Sequence, residues 1–361
     1  MDPLYTSVSR FSVIMRYTGN MLIAIERMTT RVRWSMLRHF STVTDTANII
    51  TSDIPIAANE DYTGIRRENL KSLNVAVLGM PNAGKSTLVN QLVCRPICPT
   101  SKKVHTTRVK ASAIYCEDDT QLVFMDTPGL VTKQEKNRYT LEESFIKDPR
   151  MALINADVVG VIQDVSNIYT RDKINKKILE ILNDTSSTIP SLLILNKVDT
   201  VKKKQMLLEL TKALISKDGW PNFSDVFMVS ALTGDGINDL REYLLASAKS
   251  RDWKYDPETF SDQPPEKILE RVVQSKLLDT LPKELPYQMK LEIEHFDYCD
   301  DGSISALVII YVASKRISSL LVGSRGGRIR EIAVQAEQQL CNAFQRSVRL
   351  RLYAKVKTAL E

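Results

Sequence analysis

The sequence has few cysteines and no long apolar run. None of its five cysteines belongs to a Cys-x-x-Cys pair, and none clusters with histidine. This odd number without pairing argues against a disulfide framework or a zinc site, so we expect a reducing compartment. No stretch of eighteen apolar residues occurs, so no transmembrane helix is predicted. The apolar fraction of 43% and the charged fraction of 25% are those of an ordinary globular protein.

Acidic residues are scarce at the amino end. Residues 1–44 contain six Arg, no Lys and only two acids, which leaves 43 basic and 41 acidic residues in the rest of the chain. An Arg-rich, Ser- and Thr-rich segment with few acids is typical of a mitochondrial import sequence. A disordered basic leader without a targeting function is the open alternative. Residues 45–70 are polar and are interpreted as a linker. Because there are internal methionines, the position of the initiating methionine stays open.

The clearest motif is a glycine-rich loop at residues 79–86, which follows a strand-like stretch and precedes a helix start. It matches Gly-x-x-x-x-Gly-Lys-Ser. Glycines let backbone N–H groups curl around a polyphosphate, Lys85 can reach the outer phosphates, and the Ser86 hydroxyl can ligate Mg²⁺. The alternative is a plain turn between strand and helix. The predicted nucleotide contacts here are Gly79, Met80, Pro81, Asn82, Ala83, Gly84, Lys85, Ser86 and Thr87.

A polar segment at residues 101–108 has no apolar period. A threonine in such a loop can add its hydroxyl to Mg²⁺ only when the γ-phosphate is present, which would make the loop a nucleotide sensor. We favour Thr107 for this contact, and Thr106 stays open.

An apolar strand at residues 121–129 ends in Asp-Thr-Pro-Gly. Asp126 can hold the water shell of the metal, and the Gly129 N–H can meet the γ-phosphate. A turn without function is the alternative. The predicted contacts in this segment are Asp126, Thr127, Pro128, Gly129 and Leu130. The predicted catalytic residues are Lys85, Thr107 and Gly129, and the predicted metal ligands are Ser86, Thr106, Thr107 and Asp126.

Base specificity is predicted by Asn196-Lys197-Val198-Asp199. The Asp199 carboxylate can accept hydrogen bonds from both N1–H and the amino group of guanine, whereas adenine offers no such donor pair. Backbone N–H groups of Ser230 and Ala231 could contact guanine O6. The order of these motifs resembles that of translation-factor-type GTPases, so GTP and GDP are the expected ligands.

The spacing of strand-like and helix-like stretches over residues 71–250 predicts an α/β fold, a P-loop GTPase domain with a mostly parallel sheet and helices on both faces. Leu130 stands where many GTPases carry a water-orienting glutamine, so intrinsic hydrolysis is expected to be slow. Asn82 resembles a residue that helps bind K⁺ in related GTPases. It could instead cap the turn.

Residues 251–264 contain Pro257 and Pro264, with Pro265 directly after them, and are predicted to be a hinge linker. Residues 265–361 then follow the order helix, strand, strand, helix, Gly-x-x-Gly, helix, strand, which is typical of an α+β type II KH domain. Five basic residues and no acid occupy 315–330, which predicts an RNA-binding surface. A solvated helix face with an incidental Gly-x-x-Gly is the alternative. The predicted RNA contacts are Gly323, Ser324, Arg325, Gly326, Arg328 and Arg330.

From about residue 71 to 361 the joined motifs are similar to those of the Era GTPase family, in the TrmE–Era–EngA–Septin-like branch. They are GMPNAGKST, SKKVHTTR, DTPGL, NKVD, SALTGDGI, ELPY and VGSRGGRI. Departures are Met80 in the phosphate loop and Ser324-Arg325 in the GxxG loop, where Asn-Lys is common. Arg325 keeps the charge but could favour a different nucleotide.

The resemblance implies a GTPase that binds small-subunit ribosomal RNA near its 3′ end and assists small-subunit assembly. With the leader it resembles the mitochondrial version, expected in the matrix and, as a further option, peripheral to the inner membrane. We expect a monomer. Two alternatives stay open. One is a membrane-associated regulatory GTPase whose C-terminal domain binds protein, and the other is an RNA chaperone with a structural nucleotide.

Overall fold

The computed structural model describes residues 69–100, 111–126, 153–185, 189–217, 219–282 and 285–357, all within one compact unit, Thr63–Glu361. Several predictions fall outside these ranges: the leader, most of the first linker, both candidate threonines of the 101–108 segment, and residues 127–130. No helix of the described ranges is long and apolar enough to cross a membrane.

Within the described residues, the first part of the chain forms a seven-stranded sheet. Its strands are β1 (Lys71–Gly79), β2 (Ala111–Glu117), β3 (Thr120–Asp126), β4 (Val158–Asp164), β5 (Ser191–Asn196), β6 (Phe223–Val229) and β7 (Lys249–Ser250). The helices between them are α1 (Lys85–Leu92), α2 (Lys176–Thr185), α3 (Gln205–Leu214) and α4 (Ile237–Ala246).

The sheet order is β2-β3-β1-β4-β5-β6, with β7 beside β1. β1 pairs in parallel with β3 and β4, and β5 pairs in parallel with β4 and β6. Among the described strands of this sheet, only β2 and β7 run antiparallel to the strands beside which they were added. The predicted mostly parallel sheet is therefore confirmed.

Two hydrophobic cores lie on opposite faces of this sheet. Val75 and Val77 belong to a core that includes the buried sides of α1 and α4, whereas Ala76 and Leu78 belong to a core with α2 and α3. Neighbouring strand residues point to opposite faces, so a strand covered on both sides is apolar throughout. Ligands of such sheets bind beyond the carboxyl ends of the strands, and β1, β3, β4, β5 and β6 all end at that edge.

The second part of the chain has helix α5 (Pro265–Thr280), strands β8 (Lys290–Tyr298) and β9 (Ile304–Val312), helices α6 (Lys315–Val322) and α7 (Gly327–Phe344), and strand β10 (Val348–Val356). This is the predicted order. The described strands form a sheet in the order β10-β9-β8, with β10 parallel and β8 antiparallel to β9. Along β9 buried and half-buried residues alternate, because one face packs against the helices.

The connecting segment, residues 251–264, binds along the first sheet. The buried Gln121 side chain donates to the Tyr255 carbonyl at 2.8 Å and accepts from the N–H groups of Lys254 and Tyr255. Further along, Asp262 accepts from the Ser112 N–H at 2.8 Å. The predicted hinge role and the domain boundaries at 250 and 265 stay predictions, and one buried cluster contains side chains from both sides of them.

Candidate functional site

The phosphate-loop motif connects β1 to α1. Asn82 and Gly84 adopt left-handed φ values of 60° and 95°. A Cβ at Gly84 would overlap the Asn196 side-chain nitrogen, so this position requires glycine for both its conformation and its space. Gly84, the N-cap residue of α1, has no side chain that could bond the first N–H groups of the helix. An anion above the loop could accept hydrogen bonds from this end of the helix.

Lys85 is the cation of this loop. Its side chain is buried, and Nζ donates to the carbonyl oxygens of Gly79 at 3.2 Å and Met80 at 3.0 Å. Burial lowers the pKa of Lys85 to about 8, against the opposing effect of the Asp126 carboxylate. A buried cation held by neutral carbonyls is poised to pair with a phosphate, because an anionic partner would offset its desolvation.

Asp126 and Ser86 meet at the start of α1. The Ser86 hydroxyl donates to Asp126 Oδ2 at 2.8 Å, while the buried Oδ1 has no hydrogen-bond partner among the described residues. Burial raises the pKa of Asp126, and Lys85 and Ser86 oppose this. A hydroxyl beside a carboxylate with an unsatisfied oxygen is the hard-oxygen donor set that Mg²⁺ prefers. Ser86 and Asp126 therefore fit Mg²⁺, the predicted metal.

Asn196 ties two loops together. Its buried Nδ2 donates to the Ala83 carbonyl at 2.8 Å, and its Oδ1 accepts from the Ala231 N–H at 3.0 Å. Asn196 is predicted both to contact the base and to tie loops together. Its described bonds hold the phosphate loop to the 230–231 segment, and its contact with the base stays a prediction.

Lys197 and Asp199 are both held by neighbouring side chains. Lys197 has a left-handed φ of 68°, and its Nζ pairs with Asp164 Oδ2 at 2.6 Å. The Ser230 hydroxyl donates to Asp199 Oδ1 at 2.6 Å. Asp164 was missed by the sequence analysis. Its position at the carboxyl end of β4, paired in register with Asn196, is the signal that could have identified it.

The Gly-x-x-Gly loop lies between α6 and α7. Gly323, Arg325 and Gly326 have φ values of 73°, 49° and 75°. A Cβ at Gly323 would press on Arg328 at 2.8 Å, whereas one at Gly326 or Gly327 would meet no described atom within 4 Å. Glycines with open space above a helix start allow close approach of a phosphate backbone.

The predicted RNA-binding arginines differ in their surroundings. Arg325 and Arg330 are exposed. Arg328 is half-buried and donates to the Leu320 carbonyl, so it closes the end of α6.

The structure brings the predicted phosphate, metal and base residues of the described ranges to one edge of the first sheet. The GxxG residues lie between α6 and α7, in the second part of the chain. Thr106, Thr107, Thr127, Pro128, Gly129 and Leu130 lie outside the described residues, so their roles stay predictions. No cluster of three His, Cys, Asp or Glu side chains able to hold a metal occurs in the described ranges.

Comparison with known proteins places these features in a family context. Residues 74–197 match a family described as 50S ribosome-binding GTPase. The mitochondrial GTPase Era of Danio rerio is 36% identical over 342 residues, covering 80% of this chain and 76% of the relative. GTPase Era of Mesorhizobium japonicum is 36% identical over 283 residues, covering 78% and 87%.

A similar fold is present in a solved structure of Era in complex with MgGDPNP and nucleotides 1506–1542 of 16S ribosomal RNA. The two chains superpose with a TM-score of 0.68 at 24% identity, over 80% of this chain and 95% of that one.

Proposed function

Because the chain belongs to the Era family of GTPases, we propose that it binds and hydrolyses GTP and binds small-subunit ribosomal RNA near its 3′ end, assisting assembly of that subunit. The observation that carries the RNA part is the GxxG loop, with its left-handed backbone and open space before α7, on the same chain as a guanine-nucleotide site. The relative solved with 16S ribosomal RNA supports the substrate class.

In the nucleotide site, Lys85 would neutralise the outer phosphates, and the amide groups at the start of α1 would bind them. Ser86 and Asp126 would hold Mg²⁺, which when bound supplies charge neutralisation to the phosphates. The Asp199 carboxylate, oriented by Ser230, would accept the two guanine donors. Within the undescribed segments we propose that Thr107 or Thr106 and the Gly129 N–H meet the γ-phosphate.

Slow hydrolysis assisted by K⁺ is a finer proposal for the same site. It rests on the resemblance of Asn82 to a K⁺-binding residue of related GTPases, and the left-handed φ of Asn82 fits both this role and a turn. A turn-stabilising Asn is the competing explanation. GTP turnover of the wild type and of Asn82→Ala, each measured in KCl and in NaCl, distinguishes the two explanations. If Asn82 binds K⁺, the wild type turns over GTP at different rates in the two salts, and Asn82→Ala loses this difference.

The RNA proposal is tested by the double substitution Ser324→Asp and Arg325→Asp. We expect loss of most crosslinking to ribosomal RNA, roughly tenfold or more, because two carboxylates repel the phosphate backbone. GTP affinity should stay unchanged, because the GxxG loop is built on α6 and α7. The measurement is sequencing of RNA crosslinked to the full chain in mitochondria.

The matched control is Lys212→Asp with Ala213→Asp, which introduces the same charge change on the exposed side of α3. It should leave crosslinking intact. Undiminished crosslinking in the GxxG variant would refute the RNA contact. Absence of ribosomal RNA from the wild-type crosslinks, with recovery of a protein partner, would favour the regulatory GTPase whose C-terminal domain binds protein.

Relatives named as mitochondrial support a mitochondrial location for this chain. We further propose that it is a monomer of the matrix, imported by the Arg-rich residues 1–44, with any membrane association peripheral. Import of a reporter fused to residues 1–44 tests the address, and carbonate extraction separates peripheral from integral association. Retention of that reporter outside mitochondria would contradict the proposal.

A further inference from the structure

Asp164 is the last residue of β4 and lies at the edge of the first sheet that carries the nucleotide residues. In the parallel ladder it pairs with Asn196, the last residue of β5, and the Val165 N–H donates to the Asn196 carbonyl at 3.1 Å. β4 is therefore held to β5 as far as the residue where the guanine motif begins. This register places the Asp164 carboxylate beside Lys197.

The two oxygens of the Asp164 carboxylate have separate partners. Oδ1 accepts from the Ser166 N–H at 2.8 Å and from the Ser166 hydroxyl at 2.6 Å. Oδ2 pairs with the Lys197 ammonium at 2.6 Å, and the two side chains are 20% and 33% exposed, so the pair is shielded from most of the solvent. Because Ser166 already orients the carboxylate, little further ordering is needed to form the ion pair.

Lys197 is fixed at its backbone as well as at its ammonium. Its φ of 68° is left-handed, which is strained for a residue with a Cβ. Its carbonyl accepts from the Thr200 hydroxyl at 2.7 Å and from the Thr200 N–H at 3.1 Å, which holds the turn that contains Asp199. The aliphatic stem of Lys197 therefore spans from this turn to Asp164. A lysine with a bound ammonium can cover an apolar surface with its methylene groups.

We propose that Asp164 is a positioning residue of the nucleotide site: it holds the Lys197 ammonium so that the stem of Lys197 covers one face of the guanine whose edge Asp199 binds. Asp199 is two residues from Lys197, and its Oδ1 accepts from the Ser230 hydroxyl. Fixing the stem before the nucleotide arrives reduces the conformational entropy lost on binding, so affinity rises, mostly through slower release. The inference rests on the proposed binding of guanine nucleotide and not on RNA binding.

The test measures the dissociation rate of mant-GDP, a fluorescent GDP, from the full chain. Asp164→Asn should raise this rate by roughly three- to tenfold, because an amide can keep the bonds from Ser166 but cannot form an ion pair with an ammonium. Lys197→Met keeps a stem and loses the ammonium, so it should raise the rate by a similar factor. The double variant should release mant-GDP no faster than either single variant, because both substitutions remove the same ion pair.

The preference for GDP over XDP is a second readout. Asp164→Asn should keep the wild-type preference, because Asp199 still binds the edge of the base. Asp157→Asn is the matched control, since Asp157 directly precedes the same strand and its carboxylate pairs with Arg251 at 2.6 Å. This control should leave the dissociation rate of mant-GDP unchanged even where it lowers thermal stability.

A dissociation rate of Asp164→Asn no higher than that of the control overturns the inference. Single effects that multiply in the double variant overturn it too, because Asp164 would then act through the fold and not through Lys197. A shift of Asp164→Asn toward XDP would place its action on Asp199 and has the same consequence. If Asp164→Asn fails to fold by circular dichroism, a wild-type rate in Lys197→Met overturns the inference instead. A wild-type chain that binds no mant-GDP contradicts the proposed function itself, and with it the inference.

Discussion

Asn196 and Asp199 lie in one motif but do different work. Asn196 is buried and bonds two loops, whereas Asp199 accepts from the Ser230 hydroxyl through its Oδ1. The type of residue required is clear from the motif because few side chains can read guanine. Which of them contacts the base and which supports the loops depends on distances across the sheet edge, and these the sequence does not contain.

Substitutions of Asn196 and of Asp199 should have different effects on nucleotide binding. Asp199→Asn should shift preference from guanosine toward xanthosine nucleotides, because an amide can donate to the oxygen that replaces the guanine amino group. Asn196→Ala should weaken both nucleotide types about equally, by roughly ten- to a hundredfold, because buried loop bonds are lost without any change in base contacts. Competition of GDP and XDP against mant-GDP and mant-XDP measures both effects.

Ser230→Ala offers a control for this contrast. It removes the hydroxyl that orients Asp199 and leaves the carboxylate, so guanine preference should persist with reduced affinity. An Asp199→Asn variant that keeps its preference for GDP would contradict the assigned base contact. A base-selective effect of Asn196→Ala would contradict its role as a loop tie.

Other residues of the site could not be found from local sequence. Lys85, Ser86 and Asp126 are recognisable because polyphosphate and Mg²⁺ restrict the residue types that can bind them. Asp164 carries no such restriction. It becomes relevant only when the pairing of β4 with β5 brings it beside Lys197.

Among the elements, β10 shows the clearest alternation in its sequence. Apolar Val348, Leu350 and Leu352 alternate with Arg349 and Arg351, because one face of the strand packs on the helices and the other faces away. β2 was missed. It joins β3 through a tight turn in which Asp118 has a φ of 51°, and its polar and aromatic residues follow no strict alternation.

The two-residue strand β7 is held by a clasp centred on Asp157. This carboxylate accepts from the Asn74 N–H at 2.9 Å, from Arg251 at 2.6 Å and from Lys249 at 3.3 Å. Burial opposes its ionisation, but these donors outweigh burial and the pKa of Asp157 is lowered. A carboxyl with a lowered folded pKa stabilises the protein above its ordinary pKa and loses that effect as the pH falls through the folded value.

Asp157→Asn should therefore destabilise the chain at pH 7, by about 1–3 kcal/mol for the charged bonds lost. The difference from wild type should shrink as the pH falls below 4, because the wild-type carboxyl is then protonated as well. Thermal unfolding midpoints from pH 7 down to pH 3 measure this.

Asp119→Asn is the control for the clasp. The pKa of Asp119 is also lowered, chiefly by its hydrogen bond from Lys71, but this pair is exposed. The control should change the midpoint less than Asp157→Asn at pH 7. A stability difference for Asp157→Asn that is the same at pH 3 and pH 7 would show that the clasp does not depend on the carboxylate charge.

At the scale of the whole molecule, the two sheets and their order were predictable because each follows a distinct pattern of strands and helices. The path of the connecting segment was not. Proline content predicts a hinge at 251–264, yet this segment contacts β2 and β3, residues more than a hundred positions earlier in the chain. Such contacts depend on the assembled sheet.

Gln121 provides the test of how firmly that segment is held. Its fully buried amide makes three bonds to residues 254–255. Gln121→Ala should speed tryptic cleavage after Lys254 by roughly tenfold, because local opening of the segment becomes easier when buried hydrogen bonds are lost. Mass spectrometry of the new amino terminus at Tyr255 measures the rate.

The matched control is Gln163→Ala, which removes another buried glutamine whose amide bonds the Thr170 and Lys173 carbonyls. It should speed cleavage near residues 171–173 and leave the Lys254 site unchanged. If both variants accelerate cleavage after Lys254 equally, the effect is global destabilisation. If Gln121→Ala accelerates neither site, the segment is held by its other contacts, and the predicted hinge would have to open elsewhere.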